Sequence, residues 1–172
     1  MSRQKLLTII LHLLYSNNMS TEISRIQKTF KHSWTGPMWH GANLKEILDC
    51  IDYQKAFRKP AAGSHNIYEL VAHMLCWRKF VLEHFKGNTS YKVELNSELD
   101  WPTQYETTEA NWKNTIAAFE QNQIELENAL SNATDSQLQE IVPGKEFNWY
   151  IFIHGLIHHD IYHSAQIAIL KK

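Results

Sequence analysis

Ten residues near the C-terminus, His154 to His163 within "FIHGLIHHDIYHSAQIAILKK", hold four of the ten histidines of this 172-residue chain. An imidazole can ligate a divalent ion, exchange protons or hydrogen-bond inside a core, so the direction of each ring decides its chemistry. With about 100° per residue on an α-helix and His159 set at zero, His163 falls at about 40° and Leu156 at about 60°. Phe152 and Leu170 both lie at about 20°, Ile167 at about 80° and Gln166 at about −20°. His159 and His163 are therefore expected in the middle of the most apolar stripe. His158 and His154, at about −100° and −140°, fall towards the far side. Histidines at i and i+4 sit one turn apart, the spacing at which two rings on one helix reach one ion.

A third ligand must come from another helix. In "NIYELVAHMLCWRKF", with His73 at zero, Trp77 lies at about 40°, Leu70 at about 60° and Val81 at about 80°. His73 is thus a second inward imidazole near mid-helix. His84 shares the stripe but stands about 16 Å further along the axis, too far to share an ion with His73. His65 marks the helix entrance, and His12, His32 and His40 lie outside the long helices. A lone histidine in a core stripe is more often a hydrogen-bonded structural group than a ligand. Three inward rings favour a metal, because each buried neutral imidazole otherwise needs its own partners. The expected ligands are His73, His159 and His163. Three neutral nitrogens suit Zn²⁺, Ni²⁺ or Fe²⁺ and leave positions open for water or substrate.

The neighbours are less telling. Glu69, one turn before His73, and Asp160, beside His159, could orient imidazoles, but the plainer reading is a pair of helix-surface carboxylates. Tyr162 and Gln166 flank the ligand stripe and could meet substrate or support the ligands. Trp39 and His40 could line the mouth, although loop packing is the plainer reading of the tryptophan. No catalytic acid or base is legible.

The elements that must carry these rings are helical. An amphipathic segment from Ser20 to about Lys31, capped by Ser20 or Thr21, places Ile23, Ile26 and Phe30 at spacings of three and four. "HSWTGPMWHGAN" breaks it, and one short helix follows from Leu44 to about Tyr53. Pro60 and Gly63 punctuate a linker. A long helix then spans Asn66 to Lys86, with Ser64 as its expected cap and Gly87 and Asn88 as its end. A short extended piece is expected at Tyr91–Leu95. Further helices run from about Thr107 to Ser131, with Trp112, Ile116, Phe119 and Leu126 inward, and from Trp149 to Leu170. Thr134 starts a helical turn between them. These elements predict an all-α four-helix bundle with long connecting loops.

Composition narrows the partners. Hydrophobic residues make up 44% and charged ones 20%, the balance of a folded globular chain. The net charge is −1 and no lysine–arginine block interrupts it, so nucleic acid has no electrostatic footprint. Cys50 and Cys76 lack CxxC spacing and read as reduced thiols in a cytoplasmic protein. The apolar run Leu6–Tyr15 is far below the roughly twenty residues of a membrane span and lacks a small-x-small cleavage site. Residues 1–18 are expected to be an N-terminal extension, with the domain occupying residues 19–172.

"HHDIYHSAQIAILKK" is similar to the H-x-x-Y-H-x-G-Q-I ending of the DinB/YfiT-like superfamily of metal-binding four-helix bundles. "SHNIYELVAHMLCW" resembles that family's second-helix pattern, "MWHGANLKEIL" its Trp-x-Gly-x-x-Leu stretch, and "DWP" a tripeptide that recurs before the third helix. The resemblance covers about Ser20 to the C-terminus and implies the same ligands, His73, His159 and His163. Ala165 stands where the family usually has glycine, a mild change within a helix. The family's assigned activities imply a divalent metal and metal-dependent thiol S-transfer with a low-molecular-weight thiol such as bacillithiol or mycothiol. They leave open a metal-dependent hydrolase, or a bundle that holds a metal or small ligand without catalysis. A small-molecule substrate and a monomer or homodimer, with neither nucleic acid nor membrane as partner, complete the expectation.

Overall fold

The computed structural model describes residues 20–60 and 63–172. The proposed extension, residues 1–18, lies outside the described residues. Seven helices are formed among them: α1 (Glu22–Thr35), α2 (Leu44–Leu48), α3 (Tyr53–Phe57), α4 (Ile67–Phe85), α5 (Glu109–Ser131), α6 (Asp135–Gln139) and α7 (Trp149–Leu170). There are no strands among the described residues, and Tyr91–Leu95 is not extended into a sheet.

Each start has a side-chain cap. Thr21, Asn43, Asp52, Asn66, Thr108, Thr134 and Asn148 each accept the backbone N–H three residues on, which satisfies a donor the helix itself leaves unpaired. The cap of α4 is Asn66 and not Ser64, because Glu69 three residues later returns a bond to the Asn66 N–H and closes a capping box. The single helix expected over Leu44–Tyr53 is two. Asp52 caps a new start at Tyr53 and separates α3 from α2. The first helix also outruns its expected end at Lys31, because Ser33 and Trp34 bury their side chains on its inner face and His32 continues the turn.

Helices α1, α4, α5 and α7 form the bundle. α4 packs against α5 and α7, and so does α1, while α1 and α4 face each other across a diagonal. Short helices close the flanks: α2 rests on α1 and α7, α3 on α4 and α5, and α6 on α7 and α1. Two diagonal crossings, α1 to α4 and α5 to α7, require long connections, which α2, α3 and α6 partly fill.

The core falls into two apolar clusters. One gathers Ile26, Phe30, Phe80, Leu126, Ile153 and Ile157. The other gathers Trp34, Leu44, Val71, Met74, Phe119 and Ile167. Arg78 lies between them, 1% exposed. Its guanidinium sits over the Phe119 ring at 4.4 Å and the Phe30 ring at 5.1 Å, one from each cluster. It donates to Asn122 Oδ1 at 3.1 Å and also to Gln123 and Asp160. A buried cation needs such partners, since stripping it from water costs several kcal/mol or more. Burial pushes the Asp160 carboxyl up to about 6, against the pull of Arg78. Asp160 is therefore no surface carboxylate: its side chain is committed to Arg78 and does not orient His159.

Candidate metal centre

The rings of His73 from α4 and of His159 and His163 from α7 meet where these helices pack. Their ligand-capable nitrogens all lie within 4.8 Å of one another. His73 Nε2 stands 3.0 Å from His159 Nε2. Two ligands about 2.1 Å from one tetrahedral ion would be about 3.4 Å apart, so modest side-chain adjustment brings all three nitrogens to a common centre.

The outer nitrogens say which face each ring offers. His73 Nδ1 donates to the Asp100 carbonyl at 3.1 Å and lies 2.8 Å from the Asp100 carboxylate oxygen Oδ1. His163 Nδ1 donates to Gln166 Oε1 at 2.7 Å. Both rings therefore carry their proton on Nδ1 and turn an Nε2 lone pair inward, the tautomer that a metal ligand requires. His159 Nδ1 is buried with no hydrogen-bond partner among the described residues. Burial, with His163 and His73 next in effect, holds the His159 ring down to about 3. Burial also lowers His73, against Asp100, and His163, against Gln166. Three imidazoles kept neutral with lone pairs converging make a donor set suited to a divalent cation.

Asp100 and Trp101, which residue spacing does not single out, come from the connection between α4 and α5. Asn96 adopts a left-handed turn, φ 62°, and its N–H donates to Asp100 Oδ2 at 2.8 Å. Trp77 Nε1 donates to Asp100 Oδ1 at 2.8 Å, and the Trp101 N–H returns to Ser97 O at 2.8 Å. Trp101 then slides between two imidazoles, stacking on His73 at 3.7 Å and on His65 at 3.8 Å. The one signal for this pair was the "DWP" tripeptide, and it carried no indication of what the aspartate touches.

His65 continues the arrangement outward. Its Nδ1 donates to Glu69 Oε2 at 3.1 Å. Glu69 is 3% exposed, so it too is no surface carboxylate. Burial alone would raise it, but Lys59, Tyr105, His65 and the Asn66 N–H together hold it below the usual carboxylate range. Its role towards His73 is indirect, through the His65–Trp101 stack.

On α7 the burial takes in the expected stripe at Phe152, Leu156, His163 and Ile167 and extends beyond it. Ile153, Ile157, Asp160 and Ile167 form the deep face, Ile151 and Ile169 are exposed, and His159 is half-buried. Apolar residues occur almost all round this helix, so the sequence has no single stripe for the wheel to find. His159 stands at the margin of the buried arc, where an ion could meet solvent, and His163 lies within it. A cleft of about 620 Å³ opens there, lined by the three rings with Ser64, His65, Trp101, Tyr162 and Gln166. His158 is exposed, and His154, half-buried next to Tyr150, does not line the cleft. Trp39 is 96% exposed, so it does not pack within its loop and does not line this cleft. No helix among the described residues is long and apolar enough to cross a membrane.

Searches of curated proteins and of solved structures each returned no match. The family profile of the DinB superfamily matches residues 39–167, which span α2 to α7 and include all three converging histidines. That match covers three-quarters of the chain, and the three-histidine cluster is compatible with metal binding of the DinB type. The chain belongs to the DinB superfamily.

Proposed function

We propose that His73, His159 and His163 hold one divalent cation, with zinc, nickel and iron as the candidates, and that the site transfers a low-molecular-weight thiol to a small electrophile. The observation that carries this reading is the lining of the cleft: three convergent neutral imidazoles and no carboxylate among its described residues. A bound divalent ion with an open position lowers the pKa of a thiol placed there, so that thiolate is the form present near neutral pH. A thiol activated in this way needs no carboxylate base from the protein. The chain's own contribution is placement. Asp100 fixes the His73 tautomer, Gln166 fixes that of His163, and Trp101 covers the face of His73 against water. Tyr162, exposed at the cleft mouth, is positioned to meet a thiol or its product.

Cobalt substitution tests the proposal. Adding bacillithiol, mycothiol or another low-molecular-weight thiol to the cobalt protein should produce a thiolate-to-metal charge-transfer band that rises with pH. The band should vanish on alanine substitution of any of the three histidines. A cobalt spectrum left unchanged by saturating thiols, in a protein that cleaves an ester or amide, would replace thiol transfer by hydrolysis.

A further inference from the structure

A second cleft reaches His159 from the start of α7, as the first does from its end. It has a volume of about 730 Å³ and, like the first, is lined by His159. Its walls are apolar and largely aromatic, with Trp77, Phe80, Phe147, Phe152 and Leu156 among them. Two features make it more than a surface groove.

The first is Gly155, one turn before His159 on α7. A glycine inside a helix costs about 0.5–1 kcal/mol relative to alanine. Here a Cβ would meet nothing within 4 Å, so no close contact in the fold requires the missing side chain. What the glycine does is keep the cleft clear beside His159.

The second is charge and polarity. Lys145 and Lys92 line the cleft, no carboxylate does, and neither lysine has a carboxylate partner among the described residues. Lys145 Nζ stands 4.7 Å from the centre of the Phe80 ring, so this cation lies against the aromatic wall. His84, 4% exposed, also lines the cleft. Its Nδ1 donates to the Phe80 carbonyl at 2.9 Å.

We infer that this cleft is the pocket for the electrophilic substrate, a flat, apolar aryl carboxylate whose reacting carbon, at the edge opposite the carboxylate, bears a leaving group. The thiolate forms the C–S bond as that group departs with its bonding pair, and the thiol's proton passes to solvent. The ring system lies among Trp77, Phe80 and Phe152, the carboxylate meets Lys145, and the opposite edge passes Gly155 towards His159. Two clefts that share His159 give a two-substrate reaction one chamber for each partner. The chamber beside Tyr162 and Gln166 is left to the thiol. Assignment of the bound molecule as a substrate rests on the thiol-transfer reading, but its binding requires neither thiol nor metal.

The test is calorimetric titration of the full chain, with and without zinc, using 2-naphthoate and its uncharged counterpart 2-naphthylmethanol. One site for 2-naphthoate is expected, with 2-naphthylmethanol binding at least tenfold more weakly. Gly155→Leu fills the cleft from its rim and should weaken 2-naphthoate at least tenfold without lowering the melting temperature. Lys145→Ala, on a surface turn, should remove the preference for the anion while leaving 2-naphthylmethanol unchanged. Absence of 2-naphthoate binding overturns the inference, as does binding indifferent to both substitutions. A missing thiolate band together with intact, Gly155-sensitive naphthoate binding would sink the thiol reaction and leave the pocket standing. The reverse pair of results would do the opposite.

Discussion

The Trp101 indole lies flat on the His73 imidazole, with 3.7 Å between ring centroids and 8° between planes. Asp100, the residue before it, holds Nδ1 of the same imidazole. Two consecutive loop residues thus fix one ring both in plane and about its axis. Asp100→Asn removes the negative charge opposite Nδ1 and should lower metal affinity by about 10–100-fold, as loss of such supporting groups does elsewhere. Competition against a chromogenic chelator measures this. Affinity equal to that of the unmodified chain would show that the carbonyl of residue 100 suffices alone.

Metal content identifies the ligands. Alanine at His73, His159 or His163 should each reduce bound metal severely, whereas His154→Ala and His158→Ala should leave it unchanged. His154 Nε2 is buried without a hydrogen-bond partner among the described residues, so its removal orphans nothing there. Elemental analysis of protein purified without a nickel column decides. Full occupancy in His159→Ala would transfer the site elsewhere.

The stability of metal-free protein should depend on pH in a defined direction. His73, His159 and His163 are all depressed by burial, His159 to about 3. In the unfolded chain they titrate near about 6.5. Below that value the unfolded chain takes up protons that the folded one refuses, so stability is full above about pH 6.5 and falls as the pH drops towards 3. Asp160, raised to about 6, returns part of that loss below its own pKa, but as one group against three. The melting temperature of the stripped protein should fall by ~5 °C or more between about pH 7.5 and pH 5. A flat profile would mean that these rings are already protonated in the fold.

Arg78→Ala should destabilise by about 3–5 kcal/mol, because it leaves Asp160 buried without its cation. Arg78→Met with Asp160→Leu removes both charges and should recover most of that loss. Chemical denaturation of both variants compares them. A double variant no better than the single one would place the cost in Asn122 and Gln123 instead.

A chain beginning at Met19 should bind metal as the full chain does and melt within a few degrees of it. A large fall in melting temperature would make Leu6–Tyr15 part of the fold and end its description as an extension.

The sequence carried the long helices and the three converging histidines because both depend on local periodicity. His73, His159 and His163 each project from a regular helix, and the angle between positions follows from the residue count. Asp100 and Trp101 have no such periodicity. Their places depend on the left-handed turn at Asn96 and on the path of the connection, which no local pattern encodes. Glu69 and Asp160 looked like surface carboxylates for a related reason. A buried charge is recognised by its partner, and Lys59 and Arg78 come from other elements or other turns. The place of His159 at the edge of the buried arc has a different origin: α7 is apolar on several faces, so only its neighbours decide which one is inward.

The Arg78–Asp160 pair has a further consequence for how α7 lies along α4. Histidines four residues apart cannot by themselves fix axial register: a slide of one turn would bring His163 to the level of His159 and still present an imidazole to His73. The same slide would bring Ser164 to the level of Asp160 and strand the guanidinium in the core, at a cost of several kcal/mol. The ion pair therefore works as a key that admits one setting of the helix, and in that setting both α7 rings face His73.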